Sequence, residues 1–203
     1  MKKVKQLTYQ KNNYIVTFDD GKQIEVVEDI VVKYRLVKDK ELSIEEYKNL
    51  EKEISYSNYY AKLLKYINSY SKSKYEYVQY LKRIETPHNF IDDIITDLEN
   101  KKYIDDLRYA KQATNYYLKQ GYGKKMIAYK LKESHVESSY IEEALLQIDE
   151  EIYLNLIINL AQKKIKSLKV MDYKNKQKLI NYLLNRGYDY EIINIALQNL
   201  IQE

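Results

Sequence analysis

The sequence predicts a mainly α fold, with three tandem three-helix repeats forming an elongated body behind a small N-terminal antiparallel β hairpin or sheet. Three observations predict it. Period-2 alternation is confined to the first thirty residues. Beyond Glu28 the apolar residues recur at helical spacing, and the whole chain holds one proline and four glycines. Finally, the chain repeats itself in register. Leu81, Leu131 and Leu183 are followed five residues on by Thr86, Val136 and Tyr188, and ten residues on by Ile91, Ile141 and Ile193. Thirteen and fourteen residues on stand Ile94-Ile95, Ala144-Leu145 and Ala196-Leu197. The period is 50 and then 52 residues, the mark of units that bury their apolar faces on their neighbours.

The strands come first. "VKQLTYQ" from Val4, "YIVTF" from Tyr14 and "KQIEVV" from Lys22 alternate, and "DDG" at Asp19–Gly21 is the signal of a tight hairpin between the last two. Ile30, Val31 and Tyr34 suggest a short helix, and no further strand pattern follows. Ser43 to Glu46 reads S-x-x-E, a capping box in which the serine accepts an amide hydrogen bond and the glutamate reaches back. Ser73–Glu76 and Ser139–Glu142 repeat the pattern. Thr86 before Pro87 reads as an N-cap before a proline at the first helical position, and Asp189 is placed to cap the last helix. A further helical run precedes each helix pair, at about residues 58–69, 106–120 and 152–166. The expected organisation is an N-terminal sheet with a helical extension over residues 1–57, then repeats over 58–106, 107–150 and 151–203.

Composition narrows the chemistry. With no cysteine, disulfides and thiolate metal sites are excluded. The 34 basic residues nearly balance 30 acidic ones, too even for a protein whose whole task is phosphate neutralisation. No apolar window is long enough to span a bilayer. The basic start "MKKVKQLTYQ" lacks an apolar segment behind it, so the cytoplasm is the expected compartment. Tyr, Ile, Asn and Lys are abundant, as in AT-rich coding. The 24 tyrosines are therefore expected mostly to stand in for Phe and Leu in a core.

The stretch "YIDDLRYAKQATNYYLKQGYGKKMIAYKL", Tyr103–Leu131, holds the most suggestive groups. Asp105 and Asp106, with Asp92 and Asp93, could serve a metal-dependent nuclease. Helix N-termini favour acids through capping and the dipole, which explains all four without catalysis. "GYGKK", Gly121–Lys125, lacks the length and the Ser or Thr of a Walker loop and follows a helix. It reads as Gly121 ending one helix and Gly123 opening the next, with Lys124 and Lys125 available to a polyanion or an acidic partner. Leu107, Tyr109, Ala110, Ala113, Tyr117 and Leu118 form an inward stripe, and Met126, Ile127, Tyr129 and Leu131 continue it. His88 and His135 have no triad partner at suitable spacing. The basic run Lys163–Met171 is a solvated helix end or a contact for DNA or an acidic groove. No nucleophile, metal cluster or cofactor loop emerges; no enzyme, metal or cofactor is expected.

"YIDDLRYA", "SKYEYVQYL" (Ser73–Leu81) and "NRGYDYEIINIAL" (Asn185–Leu197), set on a three-helix repeat, resemble the RecX family, regulators of the RecA recombinase. Asp105, Asp106, Tyr109, Ala110, Gly123, Arg186, Gly187 and Tyr188 match that family's motif words. The resemblance covers about residues 58–203, and the segment before it is similar to the N-terminal extension of longer members. Lys72 stands where the family often has arginine. The resemblance implies a non-enzymatic protein, expected to be a monomer, that binds the RecA nucleoprotein filament and mainly inhibits recombination. The alternative is a DNA-binding module acting without RecA. The residues expected to face the filament are Lys82, Arg83, Lys124, Lys125, Lys130, Lys132 and Arg186. Asp105, Asp106, Tyr109, Ala110, Gly123, Gly187 and Tyr188 are expected to be structural.

Overall fold

The computed structural model describes residues 1–69, 71–168 and 173–202. The chain divides into two compact units, Met1–Tyr66 and Ile67–Glu203.

In the first unit, strands β1 (Lys2–Gln10), β2 (Asn13–Phe18) and β3 (Gln23–Val26) form a meander. Lys11 and Asn12 turn the first hairpin, both at positive φ, the two-residue geometry that matches strand twist. Gly21, at φ +84°, turns the second: Gly21 donates its N–H to the Phe18 carbonyl at 3.0 Å, and Phe18 donates to the Lys22 carbonyl at 2.9 Å. The alternation resolves with Val16 and Phe18 inside and Ile15 and Thr17 at the margin. Helix α1 (Glu28–Tyr34) buries Ile30. One element departs from expectation. Glu41–Leu42 forms a fourth strand, β4, beside Lys2 and Lys3, so the sheet order is β3-β2-β1-β4. Two residues are too few to carry a periodic pattern; the pairing is made by the fold. Val4, Val16, Phe18, Val26, Ile30, Leu36, Leu42, Tyr47 and Leu50 form the core beneath it.

Helix α2 runs unbroken from Ile44 to Ser69, so the boundary expected at residue 57 falls inside one helix. Ser43 and Glu46 cap it reciprocally, at 2.7 and 3.1 Å. The second unit continues with α3 (Lys74–Arg83), α4 (His88–Asn100), α5 (Asp106–Lys119), α6 (Lys124–Glu133), α7 (Ser138–Leu146), α8 (Glu150–Leu168), α9 (Tyr173–Asn185) and α10 (Tyr190–Gln202). Helices α5–α7 and α8–α10 each pack as a three-helix group, and α3 packs on α4. Leu81, Leu131 and Leu183 are each 0% exposed, and Ile91, Ile141 and Ile193 are buried with them. Repeats two and three share one continuous core from Ala110 to Leu197.

The leucine register has a backbone cause. Thr86, Val136 and Tyr188 donate their N–H groups back to the carbonyls of Leu81, Leu131 and Leu183, at 3.0, 3.1 and 3.2 Å. Each bond closes a helix through an intervening residue at positive φ: Glu85, His135 and Gly187. The recurring five-residue interval is therefore a helix C-terminal motif built three times.

Two helix starts differ from their sequence signals. Thr86 is a buried core residue, and Pro87 takes the N-cap of α4, its carbonyl accepting Phe90 N–H at 2.9 Å. The box expected at Ser139–Glu142 does not form. α7 begins at Ser138 after Glu137, which leaves Ser139 inside the first turn. The buried position after each C-terminal motif fixes where the next helix starts, and this register overrides the local serine signal. Most tyrosines also depart from expectation: among the described residues only Tyr47, Tyr77, Tyr153 and Tyr188 are buried. The others sit half-buried or exposed, where a ring can lie on the core and its hydroxyl in water.

Lys102 closes α4 at φ +61°, donating to the Glu99 carbonyl at 2.9 Å, with Tyr103 donating to Leu98 at 2.9 Å. Glycine carries no Cβ penalty there. Lys102→Gly is expected to raise stability by about 0.5–1 kcal/mol, read as a higher urea midpoint at unchanged slope.

Candidate partner-binding surface

The Gly-Tyr-Gly segment builds a joint, and its amides are occupied. Gly121, at φ +78°, ends α5, with Tyr122 donating to the Tyr117 carbonyl at 3.1 Å. Gly123 caps α6 without a side chain. Its N–H donates to the Arg186 carbonyl at 2.8 Å, Lys124 N–H to the Tyr153 hydroxyl at 3.1 Å, and Lys125 N–H to the Gly187 carbonyl at 3.1 Å. Three amides at the start of α6, those of Gly123, Lys124 and Lys125, are thus taken by the third repeat rather than by a phosphate. The approach needs both glycines. A methyl group on Gly123 would lie 2.4 Å from the carbonyl carbon and oxygen of Gly187, and one on Gly187 would lie 2.3 Å from Met126 N.

The two aspartates cap two different helices. The Asp105 carboxylate accepts Arg108 N–H at 2.9 Å at the start of α5. The Asp106 carboxylate accepts Lys74 N–H at 2.6 Å, at the start of α3 in the preceding repeat. Burial pushes the Asp106 carboxyl above its usual value; the Lys74 amide opposes this, and the charges of Glu99 and Asp105 add to it. Asp92 and Asp93 are exposed on α4. Tyr153 does for α6 what Asp106 does for α3, and burial pushes its hydroxyl up to about 12. Tyr109 meets Ser134 Oγ at 3.3 Å. Ala110 and Tyr188 are buried as expected of structural positions.

The seven cations expected to face a partner separate into two groups. The first group is engaged within the fold. Arg186 is half-buried: its Nη1 donates to the carbonyls of Gln120 (2.8 Å) and Gly121 (3.2 Å), and its guanidinium lies over the rings of Tyr122 and Tyr182 at 5.6 and 5.1 Å. It closes the C-terminus of α5. Lys124 pairs with Glu150 at 2.5 Å and lies 5.0 Å from the Tyr153 ring centre. Lys130 lies over Tyr117 and Tyr122, at 5.3 and 5.0 Å. The second group, Lys82, Arg83, Lys125 and Lys132, is exposed. Lys125 pairs with Asp189, and Arg83 lies 5.5 Å from the Tyr80 ring centre. Lys132 makes no ion pair among the described residues. Lys82 and Lys132 occupy equivalent positions, one residue after the register leucines.

Met126, Ile127 and Leu131 turn inward as expected, but Tyr129 is 57% exposed, its hydroxyl donating to Glu133 at 2.8 Å. His88 begins α4, and His135 sits at φ +56° with its ring 3.7 Å from that of Tyr75. Of the basic run, Lys163 and Lys166 are exposed on α8 and Lys164 lies over Tyr182, while residues 169–171 lie outside the described residues. Tyr153, Glu150 and Asp189 were missed as joint residues. A signal existed: "IDDLRY" at Ile104–Tyr109 recurs as "IDEEIY" at Ile148–Tyr153, offset by 44 residues rather than 50 or 52. Among the described residues no helix is long and apolar enough to cross a membrane.

Two family models match this region, one described as RecX, second three-helix domain, over residues 105–145, the other as RecX, third three-helix domain, over residues 150–197. Proteins named regulatory protein RecX from Streptococcus pneumoniae strains ATCC 700669 / Spain 23F-1 and 70585 are each 27% identical over 199 residues, covering 98% of this chain and 77% of theirs. A crystal structure of regulatory protein RecX superposes with a TM-score of 0.81 at 23% identity, over 98% of this chain and all of that one. The crystal structure of RecX from Lactobacillus salivarius gives 0.68 at 24% identity, over 73% of this chain and 98% of that one. These two structures share the fold.

Two tests follow from the joints. Gly123 has an ordinary negative φ, so Gly123→Ala isolates the steric contact, whereas Gly187→Ala adds left-handed strain. Each is expected to cost about 2 kcal/mol or more in denaturant unfolding, with Gly187→Ala the more damaging. At the first joint, Asp106→Ala is expected to cost about 1 kcal/mol, as for a lost cap, and Asp106→Asn much less. The folded-state pKa of Asp106 is raised, so its ionisation favours the unfolded chain. Its contribution is fully present below the unfolded carboxylate pKa and is lost as pH rises through the folded one. The stability difference between wild type and Asp106→Asn should therefore fall as pH is raised through the acid range in parallel urea titrations.

Proposed function

The chain belongs to the RecX family, and from that premise we propose that it is a regulatory protein that binds the RecA recombinase filament and restrains recombination by occupancy, without making or breaking a bond. The observation that carries this reading is the division of labour among polar groups. Asp106, the Gly123 amide and Arg186, among the groups most suggestive of chemistry, join one repeat to the next, while Asp105 caps its own helix. Of the cations expected to face a partner, Lys82 and Arg83 on α3 and Lys125 and Lys132 on α6 are exposed on equivalent helices. Lys125 and Lys132 are seven residues apart and share one face of α6. Such a surface suits a partner with acidic patches and nucleic acid inside, and complementary charge acts chiefly on the rate of encounter.

The second reading, DNA binding without RecA, is favoured by Lys163 and Lys166 at the exposed end of α8. The two differ in salt dependence: a phosphate binder loses affinity steeply as salt rises, whereas a RecA-directed regulator needs RecA and responds moderately.

Lys132→Glu breaks no ion pair among the described residues, and exposed pairs such as Lys125–Asp189 contribute about 0–1 kcal/mol. The Lys125→Glu/Lys132→Glu protein and the Lys132→Glu single variant are therefore expected to keep their melting temperatures nearly unchanged. Both are expected to need several-fold more protein for half-inhibition of RecA strand exchange and ATPase on single-stranded DNA, the double variant more so. Inhibition equal to wild type at low and physiological salt removes this surface from the reading.

A further inference from the structure

The two joints between consecutive repeats are built from equivalent positions but with opposite materials. Aligning Leu81 with Leu131 places Ser73 opposite Gly123, Lys74 opposite Lys124 and Tyr75 opposite Lys125. Aligning Leu131 with Leu183 places His135 opposite Gly187 and Glu137 opposite Asp189. Between repeats two and three the backbones touch. Gly123 and Gly187 leave no room for a methyl group, and two main-chain hydrogen bonds cross at 2.8 and 3.1 Å. Around this contact lies an apolar core shared by both repeats. Sliding one repeat over the other would drive carbonyl into carbonyl or break bonds that have no replacement partner, so this joint has one low-energy arrangement.

Between repeats one and two the corresponding contacts run through side chains. His135 stands where Gly187 stands in the other joint, and its ring meets Tyr75 edge-on at 3.7 Å. The Asp106 carboxylate, rather than a carbonyl, takes the Lys74 amide, and Ser71 donates to the Gln112 side chain at 2.9 Å. Beside these contacts lies a cavity of about 510 Å³. Lys74, Glu99 and Lys102 line it from the first repeat, and Asp106, His135 and Glu137 from the second. Its polar walls suit water. A charged gap that solvent can enter, bridged by rotatable side chains, can exchange partners as it opens and closes, because every group keeps a solvent alternative.

We propose that the joint between repeats one and two is a hinge, and that repeats two and three move on it as one rigid body. The angle at the hinge sets the separation between Lys82 and Arg83 on one side and Lys125 and Lys132 on the other. The hinge follows from the joints alone and holds whatever the partner is.

The chain has no cysteine, so engineered cysteines can be spin-labelled without competition. Asp92, Glu142 and Gln198 are exposed helix positions, one in each repeat. Double electron–electron resonance on Asp92→Cys/Glu142→Cys reads the first joint, and Glu142→Cys/Gln198→Cys reads the second. The distance distribution across the first joint is expected to be at least twofold wider than across the second, or to show two maxima. It should narrow when 30% sucrose, which favours the compact arrangement by exclusion, is added. Circular dichroism melts matching wild type establish that the labelled proteins are folded. Equal widths, or a wider distribution across the second joint, overturn the proposal.

Discussion

The second unit depends on one close approach, the backbone of Gly123 against that of Gly187. A helix that begins in isolation needs a side chain to satisfy its first amides. α6 has none: its cap is a glycine, and its amides reach the carbonyls of Arg186 and Gly187 and the hydroxyl of Tyr153. The third repeat thereby completes a helix of the second. The reverse dependence also holds, because Arg186 closes the C-terminus of α5 from the third repeat. Neither repeat is complete without the other, which is why their apolar residues form one core.

The same logic explains where the charges and rings are placed. Tyrosines at the half-buried boundary supply ring faces on which ammonium and guanidinium groups lie: Lys124 on Tyr153, Lys130 on Tyr117 and Tyr122, Arg186 on Tyr122 and Tyr182. Each keeps its charge near water while its stem covers apolar surface. A cation used in this way is part of the scaffold. Those without such a seat, Lys132 above all, stand in solvent.

Much of this was legible in the sequence. The register of Leu81, Leu131 and Leu183 could be seen because a buried C-terminal motif imposes the same interval three times. Gly187 was legible as a structural position, and Gly121 and Gly123 as the close of one helix and the start of the next. The capping boxes at Ser43 and Ser73 formed because their partners lie within one turn. The box at Ser139 failed because the buried Val136 fixes the start of α7 earlier. β4 was invisible, being two residues whose pairing depends on Lys2 and Lys3 some forty positions away.

The sequence by itself determined every element but β4, the repeat and the family resemblance, since periodicity, caps and turns are local and each carries its own signal. Only the tertiary structure decided which partner each polar group takes. Asp105 and Asp106 are neighbours with the same side chain, yet one caps its own helix and the other a helix of the preceding repeat. Arg186 and Lys132 are both cations on the resembling segment, yet one is bound into a joint and the other faces solvent. Those differences are matters of which backbone lies within 3 Å of a side chain, and that distance is set by the packing of repeats whose contacts lie up to 66 residues apart.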